Sequence, residues 1–295
     1  MSFSGSLQEL HRAALPKNLG ECAASLIHCL VRNLKRAAPA VIEAKKGDSF
    51  PILSGPLKGV HLPKSVAGQN IGMLIGRYEP AVVQKILSLA GSIKVAYDIG
   101  SHVGYIALAL CHCGRAERVY AFEPVSSNAQ LIRAAAEQNQ LTSRIEVVQK
   151  AVADTNGSQR MHTWDASSMF FLDSAHEGQP INPSQAFEVE TCTLDSFVFE
   201  NSGPPPDFIK LDVEGAEELV LQGASRTIGE FFPRILIEIH GPKRAEKIWS
   251  RLSPFQYEWL YITANGEERR IGNESELTGL FSEELWTPHF FLSRI

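Results

Sequence analysis

Hydrophobic positions along the chain fall into three regimes. From 19 to 34, Leu19, Cys22, Ala23, Leu26, Ile27, Leu30, Val31 and Leu34 recur at the offsets of one helical face. Lys35 and Arg36 suit the C-terminal end of that helix, and Pro39 stops it. Residues 51–76 are rich in Gly and Pro with short apolar pairs, and read as turns and brief strands in a lid-like segment. An apolar helix over Val82, Val83, Ile86, Leu87 and Leu89 follows and ends at Gly91.

Beyond that helix the pattern alternates. Apolar strands are expected at 93–98, 118–123, 144–149, 207–212 and 234–239, with helices at 103–112, 126–139, 214–222 and 242–251. Such runs predict a parallel sheet covered on both faces. Near the end, Asn265-Gly266 between two strand-like runs predicts a hairpin. The closing "PHFFLSRI" predicts one more strand, antiparallel in the same sheet. Residues 162–186 fit neither period. They read as an insertion, in which Trp164, Met169, Phe170 and Phe171 either wall a pocket or simply anchor the loop.

At 295 residues the chain accommodates one large α/β domain, 77–295, and an N-terminal extension, 1–76. A formal net charge of −5, with no run of Lys or Arg longer than two, argues against a nucleic-acid partner. Five cysteines without framework spacing imply reduced thiols and a cytoplasmic setting. No apolar stretch approaches the length of a membrane span, and the N-terminus lacks the pattern of a secretory signal. The amphipathic helix at 19–34 packs on the body or on a second subunit, which leaves a homodimer open.

Ligands of open parallel sheets sit beyond the carboxyl ends of the strands, so the first strand-to-helix turn, "YDIGSHVGYI", is the place to look. It lacks the lysine of a P-loop and the spacing of a dinucleotide fingerprint. It has instead Asp98-x-Gly100-x-x-x-Gly104, with Glu123 at the tip of the next strand. An acid at 98 suits an ammonium group, and one 25 residues later suits a ribose diol. A ligand with both is S-adenosylmethionine.

The stretches "VAYDIGSHVGYIALAL", "VYAFEPVSSNAQLI", "TCTLDSF" and "DFIKLDVEGAEELVLQGA", flanked by "GRYEP" and "RILIEIHG", resemble the FkbM-type branch of class I S-adenosylmethionine-dependent methyltransferases. The resemblance covers roughly residues 75–240, and "IKLDVEGAE" is its most specific piece. It implies a Rossmann-like α/β fold with a seven-stranded sheet of order 3-2-1-4-5-7-6. It also implies methyl transfer to a hydroxyl of a small molecule, glycan or natural product, with S-adenosylhomocysteine as product. By the same resemblance Asp98, Gly100 and Gly104 line the methionine half of the cofactor and Glu123 holds its ribose. Asn128 and Asp154 then stand near ribose and adenine, and Glu79 near the amino-acid end. The chain departs from the family at Ser101-His102, where Ala-Asn is common. His102 reads as a residue that accepts a left-handed backbone beside the cofactor rather than as a base.

Deprotonating a hydroxyl needs a base or a metal. Asp212 ends the fourth strand of the alternating series, while Glu238 and His240 end the fifth on one strand face. Two readings stay open. In one, His240 or Glu238 is the base and Asp212 positions the acceptor or contacts the cofactor. In the other, Asp212, Glu238 and His240 ligate Mg²⁺, Mn²⁺ or Zn²⁺. A structural polar cluster is the plain alternative. Lys210 shares the face of Asp212 and could pair with it or meet the cofactor carboxylate; Glu214 is balanced between roles, and Glu217 reads as an ordinary acid at a helix start. Cys111-His112-Cys113 reads as packing, because consecutive helical residues diverge. A nucleotide-dependent oxidoreductase and a non-catalytic cofactor-binding protein are the competing classes.

Overall fold

The computed structural model describes residues 48–89, 91–163, 170–175, 186–281 and 287–294. The expected helix at 19–34, Trp164, Met169 and most of 162–186 lie outside them. Strands β1 (Ser49–Pro51) and β2 (His61–Pro63) pair in a two-stranded sheet, followed by helices α1 (Lys64–Gln69), α2 (Ile71–Leu74) and α3 (Pro80–Ser88). The alternating body then runs β3 (Ile93–Ile99), α4 (Tyr105–His112), β4 (Ala116–Phe122), α5 (Ser126–Gln138) and β5 (Ile145–Val148). Strands β6 (Ala151–Val152), β7 (Gly157–Thr163), β8 (Phe170–Leu172) and β9 (Ala186–Cys192) lead to α6 (Leu194–Phe199). The series resumes with β10 (Phe208–Leu211), α7 (Glu217–Gln222), α8 (Ser225–Phe231), β11 (Arg234–Glu238) and α9 (Pro242–Leu252). It closes with β12 (Glu258–Ile262), β13 (Glu268–Ile271), α10 (Glu274–Thr278) and β14 (His289–Ser293).

The central sheet has the order β13-β12-β14-β11-β10-β3-β4-β5. Seven of these strands stand in the order that the family resemblance implies. The eighth, β13, is the second arm of the Asn265-Gly266 hairpin, which extends the sheet by one edge. β14 runs antiparallel to both β11 and β12, as its position at the chain end predicts. Side chains alternate across these strands: Phe208, Leu236 and Phe291 enter one core, while Ile209, Leu211, Ile235, Ile237, Phe290 and Leu292 enter the other. The first core also takes Ile52, Leu57, Val60, Leu62, Val66 and Met73 from the N-terminal segment, together with Val82, Val83 and Ile86 of α3. Helix α4, from Tyr105 through Cys111, is buried all round in that core, so its sequence carries no polar stripe.

Helices α1, α2, α6, α8 and α10 stand outside the expected string, and two further features depart from it. Strands β6, β7, β8 and β9 build a second, four-stranded sheet of order β6-β9-β7-β8. β9 alternates exposed and buried positions only from Glu188 to Thr191, a weak signal amid turn residues. Helix α7 also begins at Glu217 rather than 214, because Glu214 (φ 51°) and Gly215 (φ 99°) hold left-handed backbone before it.

The strand ends meet at Gly100. Its φ is 77°, and a Cβ there would lie 1.8 Å from the Asp212 carbonyl oxygen. Glycine is therefore required both by conformation and by the closeness of the β3 and β10 exits. Gly100→Ala is expected to force these exits apart and to destabilise the protein by at least about 2 kcal/mol in denaturant unfolding. At Gly104 (φ 81°) the nearest neighbours are only the tips of the Ile132 side chain at 3.0–3.4 Å, so Gly104→Ala should cost less.

Candidate functional site

The turn after β3 is built by backbone bonds to the neighbouring strand. The N–H groups of Gly100 and Ser101 both donate to the Phe122 carbonyl, at 3.1 Å each, and Ser101 Oγ donates to the Asp98 carbonyl at 2.6 Å. His102 takes φ 51°, the left-handed conformation read from its identity. That conformation aims its N–H at Glu123 Oε2, 2.8 Å away. Glu123 Oε1 accepts from the Val125 N–H at 3.0 Å and from Asn128 Nδ2 at 3.4 Å. Burial nevertheless pushes the Glu123 carboxyl up to about 7, against the lowering effect of those donors. Burial, with Lys210 nearby, lowers the His102 imidazole.

A cavity of about 270 Å³ opens beside this turn. Gly100, His102, Glu123 and Asn128 line it from the central sheet, and Asp212 and Glu214 from the exit of β10. Its opposite wall is apolar and comes from the second sheet, where Val152, Met161 and Leu172 face it. Met161 and Leu172 are cross-strand partners, so one rung of the β7–β8 ladder supplies both. Asp154 does not line the cavity; Lys150, Ala151 and Val152 stand where it was expected. Tyr78 lines the cavity, while its neighbour Glu79 holds a left-handed backbone (φ 41°) at the start of α3.

Asp98 is fully buried, and neither carboxylate oxygen receives a well-formed hydrogen bond. Burial raises its carboxyl, with Lys210 acting in the opposite direction. Glu79 Oε2 also lacks a hydrogen-bond partner, and burial raises this carboxyl too. Between these acids sits Lys210, whose Nζ donates to the Gly100 carbonyl and Asp212 Oδ2 at 3.2 Å each and lies 3.8 Å from Asp98 Oδ1. Burial opposes the ammonium charge, but Asp212, Asp98 and Glu79 together outweigh it and hold the Lys210 pKa above its ordinary value. Asp212 is half-buried, and Lys210, His240 and His289 keep its carboxyl below the usual range.

At the end of β11, His240 stands between two acids. Nδ1 is 2.8 Å from Glu217 Oε1 and Nε2 is 3.3 Å from Glu214 Oε2. Burial works against the imidazolium, but Glu214 and Glu217 push the pKa up to about 11. The ring in this geometry is protonated at neutral pH. Glu238 lies on the same side, 3.9 Å from His240 Nε2, as strand alternation predicts. Its closer partner, however, is His289 Nε2 at 3.0 Å, directly across the β11–β14 ladder. Among the described residues the donor atoms that come within 4.8 Å of one another belong to Asp212, Glu214 and His240, so Glu238 is replaced by Glu214 in the expected trio. Nε2 would have to shed its proton before it could coordinate a cation.

Glu217 is more than a helix-start acid. It is fully buried, and its Oε1 accepts the Gly215 N–H at 2.9 Å while facing His240 Nδ1. The one sequence signal for it was its place as the last acid of "IKLDVEGAE". His289 was also unmarked, because only the antiparallel register of β14 sets it opposite Glu238. Cys111 is buried with its thiol pushed up to about 11 by burial, consistent with packing. No helix among the described residues is long and apolar enough to cross a membrane.

Hexuronic acid methyltransferase AglP of Haloferax volcanii is 25% identical over 177 residues, 59% of this chain and 69% of that one. A solved methyltransferase FkbM from Methylobacillus flagellatus KT is 21% identical with a TM-score of 0.42. That match covers 68% of this chain and 43% of the other, so the chain spans less than half the length of that relative. The structure of M. capricolum TrmK in complex with its natural cofactor product, S-adenosylhomocysteine, matches at 10% identity and TM-score 0.37 over 72% of this chain and 67% of that one. The family model of the methyltransferase FkbM domain matches residues 98–267. With more than half of its length in that match, the chain belongs to the FkbM methyltransferase family.

Proposed function

We propose that this methyltransferase uses S-adenosylmethionine to methylate a hydroxyl group on a small molecule, a glycan or another natural product. The observation that carries the cofactor assignment is the pair of buried acids around the glycine turn. Asp98 offers two carboxylate oxygens without well-formed donors, a costly state that an ammonium group would relieve. Glu123 lines the cavity with acceptor capacity beyond its three protein donors, which suits a ribose diol. The apolar wall of Val152, Met161 and Leu172 suits a purine face. When bound, the cofactor supplies an electrophilic methyl group and departs as S-adenosylhomocysteine. A glycan is favoured among acceptors by the hexuronic acid named for the Haloferax volcanii relative.

The chain's own groups have separate tasks in this reading. Lys210 fixes Asp212 beside the turn. Glu217 holds His240 through Nδ1 and leaves Nε2 directed at the exit of β10. Glu214, with its side chain 39% exposed, is the replaceable partner at Nε2. An acceptor hydroxyl that takes its place displaces Glu214, which carries the Nε2 proton away to solvent and leaves the ring neutral. The neutral ring can then accept the hydroxyl proton at Nε2, with Glu217 stabilising the imidazolium that forms.

Two measurements follow. S-adenosylhomocysteine should bind more tightly at pH 8 than at pH 6 in calorimetry. Donation from diol hydroxyls favours the carboxylate form of Glu123, and that form is lost as pH falls through about 7. Affinity should drop by about tenfold per pH unit below that value, and Glu123→Gln should remove the dependence. Equal affinity at both pH values would refute the ribose assignment. In nuclear magnetic resonance, the His240 ring should titrate near 11, and Glu214→Gln should move the midpoint downward, because a raising partner has gone. A midpoint that stays in place would show that Glu214 does not govern the proton at Nε2.

A further inference from the structure

Arg244 occupies an unfavourable place for a cation, in the first turn of α9, where the helix dipole repels positive charge. Among the described residues its hydrogen-bond acceptors are all backbone carbonyls. Its guanidinium donates to three of them, from three separate segments. Nε reaches Gly215 at 2.8 Å, Nη1 reaches His240 at 2.7 Å and Nη2 reaches Ala175 at 2.8 Å. Gly215 belongs to the left-handed loop after β10, His240 follows β11, and Ala175 follows β8 of the second sheet. The loop is moulded to this group: a Cβ on Gly215 would lie 2.9 Å from Arg244 Cζ and Nη2.

Glu217 holds the same two residues from their other ends. It accepts the Gly215 N–H and faces the His240 ring, while Arg244 binds the Gly215 and His240 carbonyls. The result is a closed circuit of Glu217, His240, Arg244 and Gly215. Its third arm runs to Ala175, three residues beyond Leu172 on the cavity wall. Helix α9 does not need this circuit to stay docked, since Ala245, Ile248 and Leu252 are fully buried beneath it.

We propose that Arg244 is a positioning residue that sets His240 against Glu217 and fixes the second-sheet wall of the cavity relative to that histidine. The clause about the wall rests on the cofactor reading given above; the clause about His240 does not. A planar fork can serve three diverging carbonyls at once, whereas a lysine ammonium acts as a point charge and cannot.

The test compares the parent with Arg244→Lys and Arg244→Ala, with folding checked by circular dichroism. Ring ¹⁵N and Nδ1 proton resonances of His240, assigned by their loss in His240→Gln, report the Glu217 contact. Calorimetry with S-adenosylhomocysteine reports the wall. Both variants should fold, show a shifted and weakened Nδ1 proton signal, and bind the probe about tenfold more weakly. Guanidinium ion at low millimolar concentration should restore the signal in the alanine variant only. A lysine variant that matches the parent in both readouts would overturn the proposal, as would an unmoved His240 signal in the alanine variant. Should the alanine variant fail to fold, the lysine variant decides alone. Failure of the parent itself to bind the probe would sink the cofactor reading and the wall clause, and the His240 signal would still decide the rest.

Discussion

One buried ammonium holds the site together. Lys210 rises from the middle of the sheet into a region where Asp98 is fully buried and Asp212 and Glu79 are half-buried. Each of these acids is costly alone, and the mutual repulsion of three would be costlier. The lysine meets two carboxylates and also binds the Gly100 carbonyl, so a charge requirement and a backbone turn are satisfied by the same atom. The exits of the paired strands β3 and β10 can therefore lie close enough to admit only glycine, because the groups that would push them apart are neutralised where they meet.

The next shell of the site is backbone held against its own preference. Glu79, His102 and Glu214 all take left-handed conformations, each costing of the order of 1 kcal/mol. Two of them adjoin the cavity directly, and hydrogen bonds keep their neighbourhoods fixed. Such strain persists only where the surroundings over-determine it. Here they do so from both sides, through the carboxylate of Glu123 at one turn and the Glu217–Arg244 circuit at the other.

The central sheet was legible because its strands are buried on both faces and so write continuous apolar runs into the chain. The last strand and the hairpin were legible from turn chemistry and position. The second sheet was not, since its strands are short, half-exposed and interrupted by residues with strong turn preference. Site legibility followed the same physics. Asp98, Glu123, Asp212 and His240 end strands, so alternation alone places them at one edge. Glu217 and His289 reach that edge through a loop of left-handed residues and through an antiparallel register, neither of which leaves a periodic trace. Glu238 was placed on the right side, but its partner depended on that unseen register.

The hairpin arm β13 has a meaning beyond the extra strand it adds. An outermost strand exposes unpaired amide groups that can recruit another strand. β13 is short and carries charges at three of its four positions, Glu268, Arg269 and Arg270. Those side chains are tied inward, to Lys85 at 2.7 Å, over the Tyr261 ring at 5.8 Å and to Glu258 at 3.1 Å. A sheet this apolar at its centre thus ends on a polar selvedge. That border discourages sheet-to-sheet growth on the β13 side and protects the chain from aggregation at an edge where its core would otherwise invite it.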